Sequence, residues 1–240
     1  MKTARLALDI ETISPDVPPW QRPDFDDSSQ FELFAGTVAH QESPGSDIDA
    51  VVQFREGRGP EAELDLINRL LALLTDYETS AVLTYNGEAF DFQHLAGRAQ
   101  LAAAELEARK DTPERVELVL GTIQSDDLVH DVWDAFGEYT SLEDACEYAG
   151  IGIAQTYWAE YDHGIDPADW RTPDDQGTPE VLSADVAQLG EHYLDSIESG
   201  TTDTEHFREL ETMVTDYALT DVEPLFALAD QRPFTPENNR

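Results

Sequence analysis

The chain has 240 residues, 40% hydrophobic and 9% aromatic, with 51 Asp and Glu against 14 Lys and Arg, a net charge of −37. That length and apolar content allow a sizeable core in one domain, and the aromatic content argues against charge-driven disorder. A single cysteine, Cys146, excludes an internal disulfide and a multi-cysteine zinc site, and no apolar run or charged-then-apolar leader points to a membrane, so the expectation is a cytoplasmic chain without membrane association.

The first element is an apolar run, Leu6 to Thr12, that carries two carboxylates one residue apart, Asp9 and Glu11. In a strand both would face the same way, about 7 Å apart, a spacing at which oxygens can converge on hard cations. The same Asp-x-Glu spacing recurs at Asp76, Asp203 and Asp221, but only the first copy closes a short apolar run, as a central buried strand does.

Residues 14–29 carry Pro15, Pro18, Pro19 and Pro23 and read as a loop bearing Trp20 and Phe25. Phe31 to Ala39 and Ala50 to Phe54 follow as a hairpin, strands two and three. Leu64, Ile67, Leu70, Leu71 and Leu74 recur at helical spacing behind Pro60, predicting a helix over Glu61 to Asp76. Ala81 to Tyr85 is the next strand, and a long alanine-rich helix runs from Glu88 to Arg109.

After a helical segment begun by Pro113, Leu128 to Trp133 is expected as the fifth strand, then a short helix and a Ser141-capped helix through Tyr148, ended by Gly150. Cys146 falls on the core side of that helix. Ile151 to Pro179, rich in Gly, Pro and aromatics, is predicted to be an irregular insertion. Helices over Glu180 to Ser199 and Thr204 to Asp230 close a single domain spanning 1–234, with 235–240 as a frayed tail. The order predicts an α/β fold, a five-stranded mixed sheet flanked by helices.

Asn86 to Asp91 lies where a strand turns into a helix, which brings Asp91 toward the sheet edge that carries Asp9. Tyr217 and Asp221 stand four apart on the last helix and share a face. Each acid taken alone has a simpler explanation: a solvated strand end for Asp9 and Glu11, a helix-dipole partner for Asp91, an exposed helix charge for Asp221. Tyr217 could simply pack on its helix face.

Together these segments resemble the DEDD exonucleases of the ribonuclease-H-like fold, in the subclass with tyrosine in the last motif: Asp9-Ile10-Glu11, then Asn86 to Asp91, then Tyr217 to Asp221. The histidine subclass would place His where this chain has Asp216. More closely, the chain is similar to stand-alone relatives of the proofreading domain of family B DNA polymerases. The resemblance implies hydrolysis at the 3' end of a nucleic acid, by preference single-stranded DNA, with release of 5'-mononucleotides. It implies two Mg2+ or Mn2+ ions, held by Asp9, Glu11, Asp91 and Asp221, that supply a nucleophile and stabilise the leaving oxygen. By the same resemblance Asp9 bridges both ions, Glu11 and Asp221 complete the site that activates water, Asp91 supports the second ion and Tyr217 orients the attacking water. Thr12, Asn86 and Phe90 are the substrate-binding candidates, although Asn86 could instead cap the helix and Phe90 could belong to the core.

Rival readings are an RNA-trimming enzyme, a non-catalytic nucleic-acid-binding subunit and an endonuclease on the same fold. None of the six histidines shows metal-ligand spacing, and Asp126, Asp127 and Asp131 either extend the acidic site or cap local backbone. The charge balance is the main objection to a nucleic-acid partner, because Lys and Arg normally dominate phosphate affinity. Arg55 with Arg58, and Arg98 with Arg109 and Lys110, are the near-clusters on offer. The acid excess resembles that of proteins from halophiles, where concentrated salt screens self-repulsion and stacking carries more of the binding.

Overall fold

A computed structural model describes residues 4–18, 21–77, 81–106 and 111–234. Its centre is β1 (Arg5–Ile13), inside a sheet ordered β3-β2-β1-β4-β5, where β2 is Glu32–Gln41, β3 Ile48–Phe54, β4 Val82–Thr84 and β5 Ser125–Asp127. The β3-β2-β1 portion is antiparallel and β1-β4-β5 is parallel. Seven α-helices flank this mixed sheet among the described residues: α1 (Pro60–Thr75), α2 (Asp91–Glu105), α3 (Asp111–Thr122), α4 (Leu128–Phe136), α5 (Leu142–Ala149), α6 (Ser183–Ser199) and α7 (Glu205–Asp230). The α/β architecture is the predicted one and is consistent with the ribonuclease-H-like fold. No helix among the described residues is long and apolar enough to cross a membrane.

Alternation along β1 decides which layer each residue meets. Leu6, Leu8 and Ile10 point to one side, against Leu64, Ile67 and Leu70 of α1 and Leu95 and Ala99 of α2. Ala7 and Ile13 point to the other, the first against Val222, Leu225 and Phe226 of α7 and the second against Val186 and Leu189 of α6. Asp9 and Glu11 belong to this second set. They are therefore the charged members of a face otherwise covered by two C-terminal helices.

Helix α1 is clamped by charge as well as by apolar packing. Fully buried Glu63 receives Arg98 of α2 at 2.8 and 2.9 Å and the backbone N–H of Leu33 at 2.9 Å. A second buried pair fixes the insertion: Arg171 Nε lies 2.9 Å from Asp185 in the first turn of α6, Trp170 Nε1 donates to the same carboxylate at 2.8 Å, and the guanidinium lies over the Trp158 ring. Residues 151–179 are irregular as expected, carrying short 3-10 turns and one isolated bridge from Tyr157 to Glu180, and Glu180 precedes α6 rather than opening it.

The predicted fifth strand is wrong. Leu128 to Trp133 is helix α4, and β5 is the three-residue segment before it. Apolar residues at 128, 129, 132, 133 and 136 follow helical spacing, and the Asp127 carboxylate caps the helix by accepting from Val129 N at 3.3 Å. The long helix also begins later than predicted, at Asp91, after a turn through Asn86 at φ 65°. It also ends earlier than predicted, at Glu105, where Leu106 turns extended; Arg109 and the tail 235–240 lie outside the described residues.

Among the described residues, the arginines of the expected basic near-clusters are each taken up by acids. Arg55 is buried against Glu32 at 2.6 Å, Arg58 pairs with Glu191 and Asp195 on α6, and Arg98 is the buried partner of Glu63. Arg109 and Lys110 lie outside the described residues. These guanidiniums tie elements together and present no phosphate-binding surface.

Candidate active site

The site exists because β4 is short. Among the described residues it pairs with β1 only at Leu6 and Ala7, and it ends at Thr84, so the later part of β1 runs on beside an open edge. An exposed backbone N–H there needs a partner, and Asp91, the first residue of α2, supplies it: its carboxylate accepts from Ile10 N at 2.9 Å. On the other side of β1 a bulge between Glu11 and Thr12 breaks the register with β2.

Asp127 organises the turn leading into α2. Its two oxygens accept from Asn86 N at 2.7 Å and Glu88 N at 3.0 Å, and this brace fixes the left-handed Asn86 and delivers Asp91 to β1. Asn86 therefore does not cap α2, whose N-cap position is Phe90 and lacks a side-chain bond. Glu88, Asp127 and His130 also approach one another at the surface, but the Asp127 oxygens are already engaged by backbone N–H groups. Asp126 and Asp131 bind Arg232 rather than the acidic pocket.

Helix α7 brings the last two candidates across the sheet. Carboxylate oxygens of Asp9, Glu11 and Asp221 lie within 4.8 Å of one another, and Tyr217 sits one turn before Asp221. Glu11 is buried and its Oε1 has no hydrogen-bond partner among the described residues.

Crowding four acids in a desolvated pocket holds their protons on. Burial raises Asp9 well above the usual carboxylate range, with Asp91, Glu11 and Asp221 adding to the effect. Glu11 is raised by burial, then by Asp221 and Asp91. Asp91 is pushed up to about 7 by burial, against the opposing pull of its Ile10 hydrogen bond. Asp221 also rises to about 7, through burial and then Glu143 and Asp91. Glu143, at the start of α5, was not a sequence candidate. Tyr217 is raised far above its ordinary value by burial and then by Asp221, Glu11 and Asp9, so its phenol keeps its proton.

Such a pocket is costly unless cations neutralise it. A set of carboxylates with an unused acceptor oxygen suits a hard divalent ion, so the residues present fit Mg2+ or Mn2+. Two cavities flank the acids. One, of about 810 Å3, reaches Glu11 and Thr12 and is walled by Arg22, Phe25, Phe31 and Phe90. The other, of about 490 Å3, reaches Tyr217, Asp221 and Glu143. Ser183 and Ala184 line both cavities, so Glu11 and Asp221 open onto neighbouring spaces at the start of α6.

Phe90 belongs to core and cleft at once: it packs on Phe25 and Phe31, with ring centroids 5.9 and 5.6 Å away, and borders the larger cavity. Trp158 is held inside the insertion by His163, Trp170 and Arg171, and Trp20 lies outside the described residues.

Fold and site together define an α/β chain with a half-buried carboxylate cluster suited to divalent metal. Comparison with known families narrows the class: residues 40–117 match the family described as DNA polymerase family B, exonuclease domain. The matched segment contains Asn86, Phe90 and Asp91, while Asp9, Glu11, Tyr217 and Asp221 lie outside it. No curated protein matches the chain.

Proposed function

We propose that the chain is a metal-dependent 3'-5' exonuclease of the tyrosine subclass, working as one domain and removing 5'-mononucleotides, by preference from single-stranded DNA. The observation that carries the reading is the convergence of Asp9, Glu11 and Asp221, from opposite ends of the sequence, beside an Asp91 anchored on the same strand. The match of residues 40–117 to an exonuclease family supports it independently of that geometry.

Asp9, Glu11, Asp91 and Asp221 would hold two Mg2+ or Mn2+ ions. When bound, these supply a nucleophile from water and stabilise charge on the leaving oxygen. The protein's own part is to keep the carboxylates converged and the site dry. Tyr217, protonated throughout the physiological range, donates its O–H and so orients a water rather than deprotonating it. Thr12 and Phe90 border the larger cavity, where a terminal nucleotide would lie; Asn86 positions its turn and contacts substrate only through that placement.

The test is trimming of 3'-labelled DNA and matched RNA oligonucleotides in concentrated KCl with Mg2+ or Mn2+. Early release of label as a mononucleotide is expected, faster from DNA, and Asp9→Ala should reduce it below detection while leaving the circular dichroism spectrum unchanged. Internal fragments at the earliest times, or undiminished trimming by Asp9→Ala, would overturn the proposal. Faster trimming of RNA would reassign the substrate.

A further inference from the structure

Across the β1–β2 ladder Asp9 is paired with Thr37. Residues directly opposite in antiparallel strands present their side chains on the same face, with Cβ atoms about 4.5–5.5 Å apart. That face is the acidic one. Ala35 and Ala39, two residues to either side of Thr37, pack in the clusters formed with α6 and α7, whereas Gly36 between them lies against Leu70 of α1.

Thr37 is fully buried, and its Oγ1 has no hydrogen-bond partner among the described residues. Nothing in the packing asks for the hydroxyl, since valine would fill the same space with the same β-branched shape and no unpaired polar atom. An unsatisfied hydroxyl therefore belongs to the residue directly across the ladder from Asp9. Glu11 Oε1, also unpaired, belongs to the same group of acids.

We propose that Thr37 is a positioning residue for Asp9: its hydroxyl donates to the Asp9 carboxylate and fixes its orientation when that carboxylate ligates a divalent cation. The inference rests on the metal-binding reading of the site. Ligating carboxylates are commonly oriented by a hydrogen bond from behind, and loss of such a partner typically weakens metal binding about 10- to 100-fold. A donor left idle without metal and engaged with it adds no stability to the metal-free fold, which separates this role from a structural one.

Thr37→Val, Thr37→Ser and Asp9→Asn chains would be melted without metal and titrated with Mn2+ by calorimetry in concentrated KCl. Thr37→Val is expected to melt no lower than the parent without metal yet to bind Mn2+ at least about 10-fold more weakly, and Thr37→Ser to restore binding. Parent-like Mn2+ binding by Thr37→Val, with Asp9→Asn impaired, would overturn the role of Thr37 alone. A lowered metal-free melting temperature for Thr37→Val would overturn it too, by making the hydroxyl structural. Parent-like binding by Asp9→Asn would remove the metal site itself, and this inference with it.

Discussion

Replacing Asp221 by Asn should make the metal-free protein more stable at alkaline pH. The folded chain keeps a proton on Asp221 up to about pH 7, whereas the ordinary value for an aspartate is 3.8. Between those values the folded state binds the proton that the unfolded state has released. Stability therefore falls as pH rises through this window and stays reduced above it. At 1.36 kcal/mol per pH unit the full cost is about 4 kcal/mol at pH 8, and about 2 kcal/mol of it is already present at pH 5.5. Asn keeps the shape and carries no charge, so it removes that cost. For a chain of this size, where 1 kcal/mol moves the midpoint by about 2–4 °C, Asp221→Asn should melt about 8–16 °C higher than the parent at pH 8. The advantage should be roughly half as large at pH 5.5. The assay is thermal unfolding followed by circular dichroism with EDTA present, in concentrated KCl. An equal difference at both pH values, or a variant less stable than the parent at pH 8, would refute the claim that like-charge crowding and burial strain this pocket.

Two further outcomes test the scaffold. Arg98→Met leaves Glu63 buried with, among the described residues, only the Leu33 N–H for company, and should lose about 3–5 kcal/mol in urea unfolding, the usual cost of stranding one partner of a buried ion pair; a loss under about 1 kcal/mol would mean that water reaches Glu63. Gly190→Ala would set a Cβ 2.5 Å from Ile13 Cγ2 and 2.7 Å from Phe34 Cδ1, where α6 crosses β1, so an overpacking cost of about 1–3 kcal/mol should appear in the same measurement. Unchanged stability would show that α6 can move away from the sheet.

The fold was legible where apolar residues repeat over many positions. Helices α1, α6 and α7 and strands β1 and β2 span enough turns or alternations for the pattern to emerge. Strand β5 could not be seen, because Ser125-Asp126-Asp127 has no apolar residue and its existence depends on pairing with β4. The apolar residues just after it were misassigned to a strand, although their spacing and the Asp127 cap were helical signals.

Of the candidate site, Asp9, Glu11, Tyr217 and Asp221 were picked out by their ordered resemblance to the exonuclease motifs, because the local spacing of each pair has a simpler explanation when taken alone. Asp91 was readable only as the start of a helix. Its bond to Ile10 depends on where β4 stops. Glu143 and Thr37 gave no sequence signal, since each reaches the acids only through tertiary packing or strand register. For a related reason, sequence proximity did not reveal that Arg55 and Arg98 are turned inward.

Those inward guanidiniums change how a mutational survey should be interpreted. Arg55, Arg58, Arg98, Arg171 and Arg232 each join segments distant in sequence or lock a loop to a helix. An alanine sweep through them would deplete folded molecules and so imitate weakened substrate capture. Arg22, exposed above the Phe25 ring at the mouth of the larger cavity, is placed differently, and a defect there would report on the ligand rather than on the scaffold.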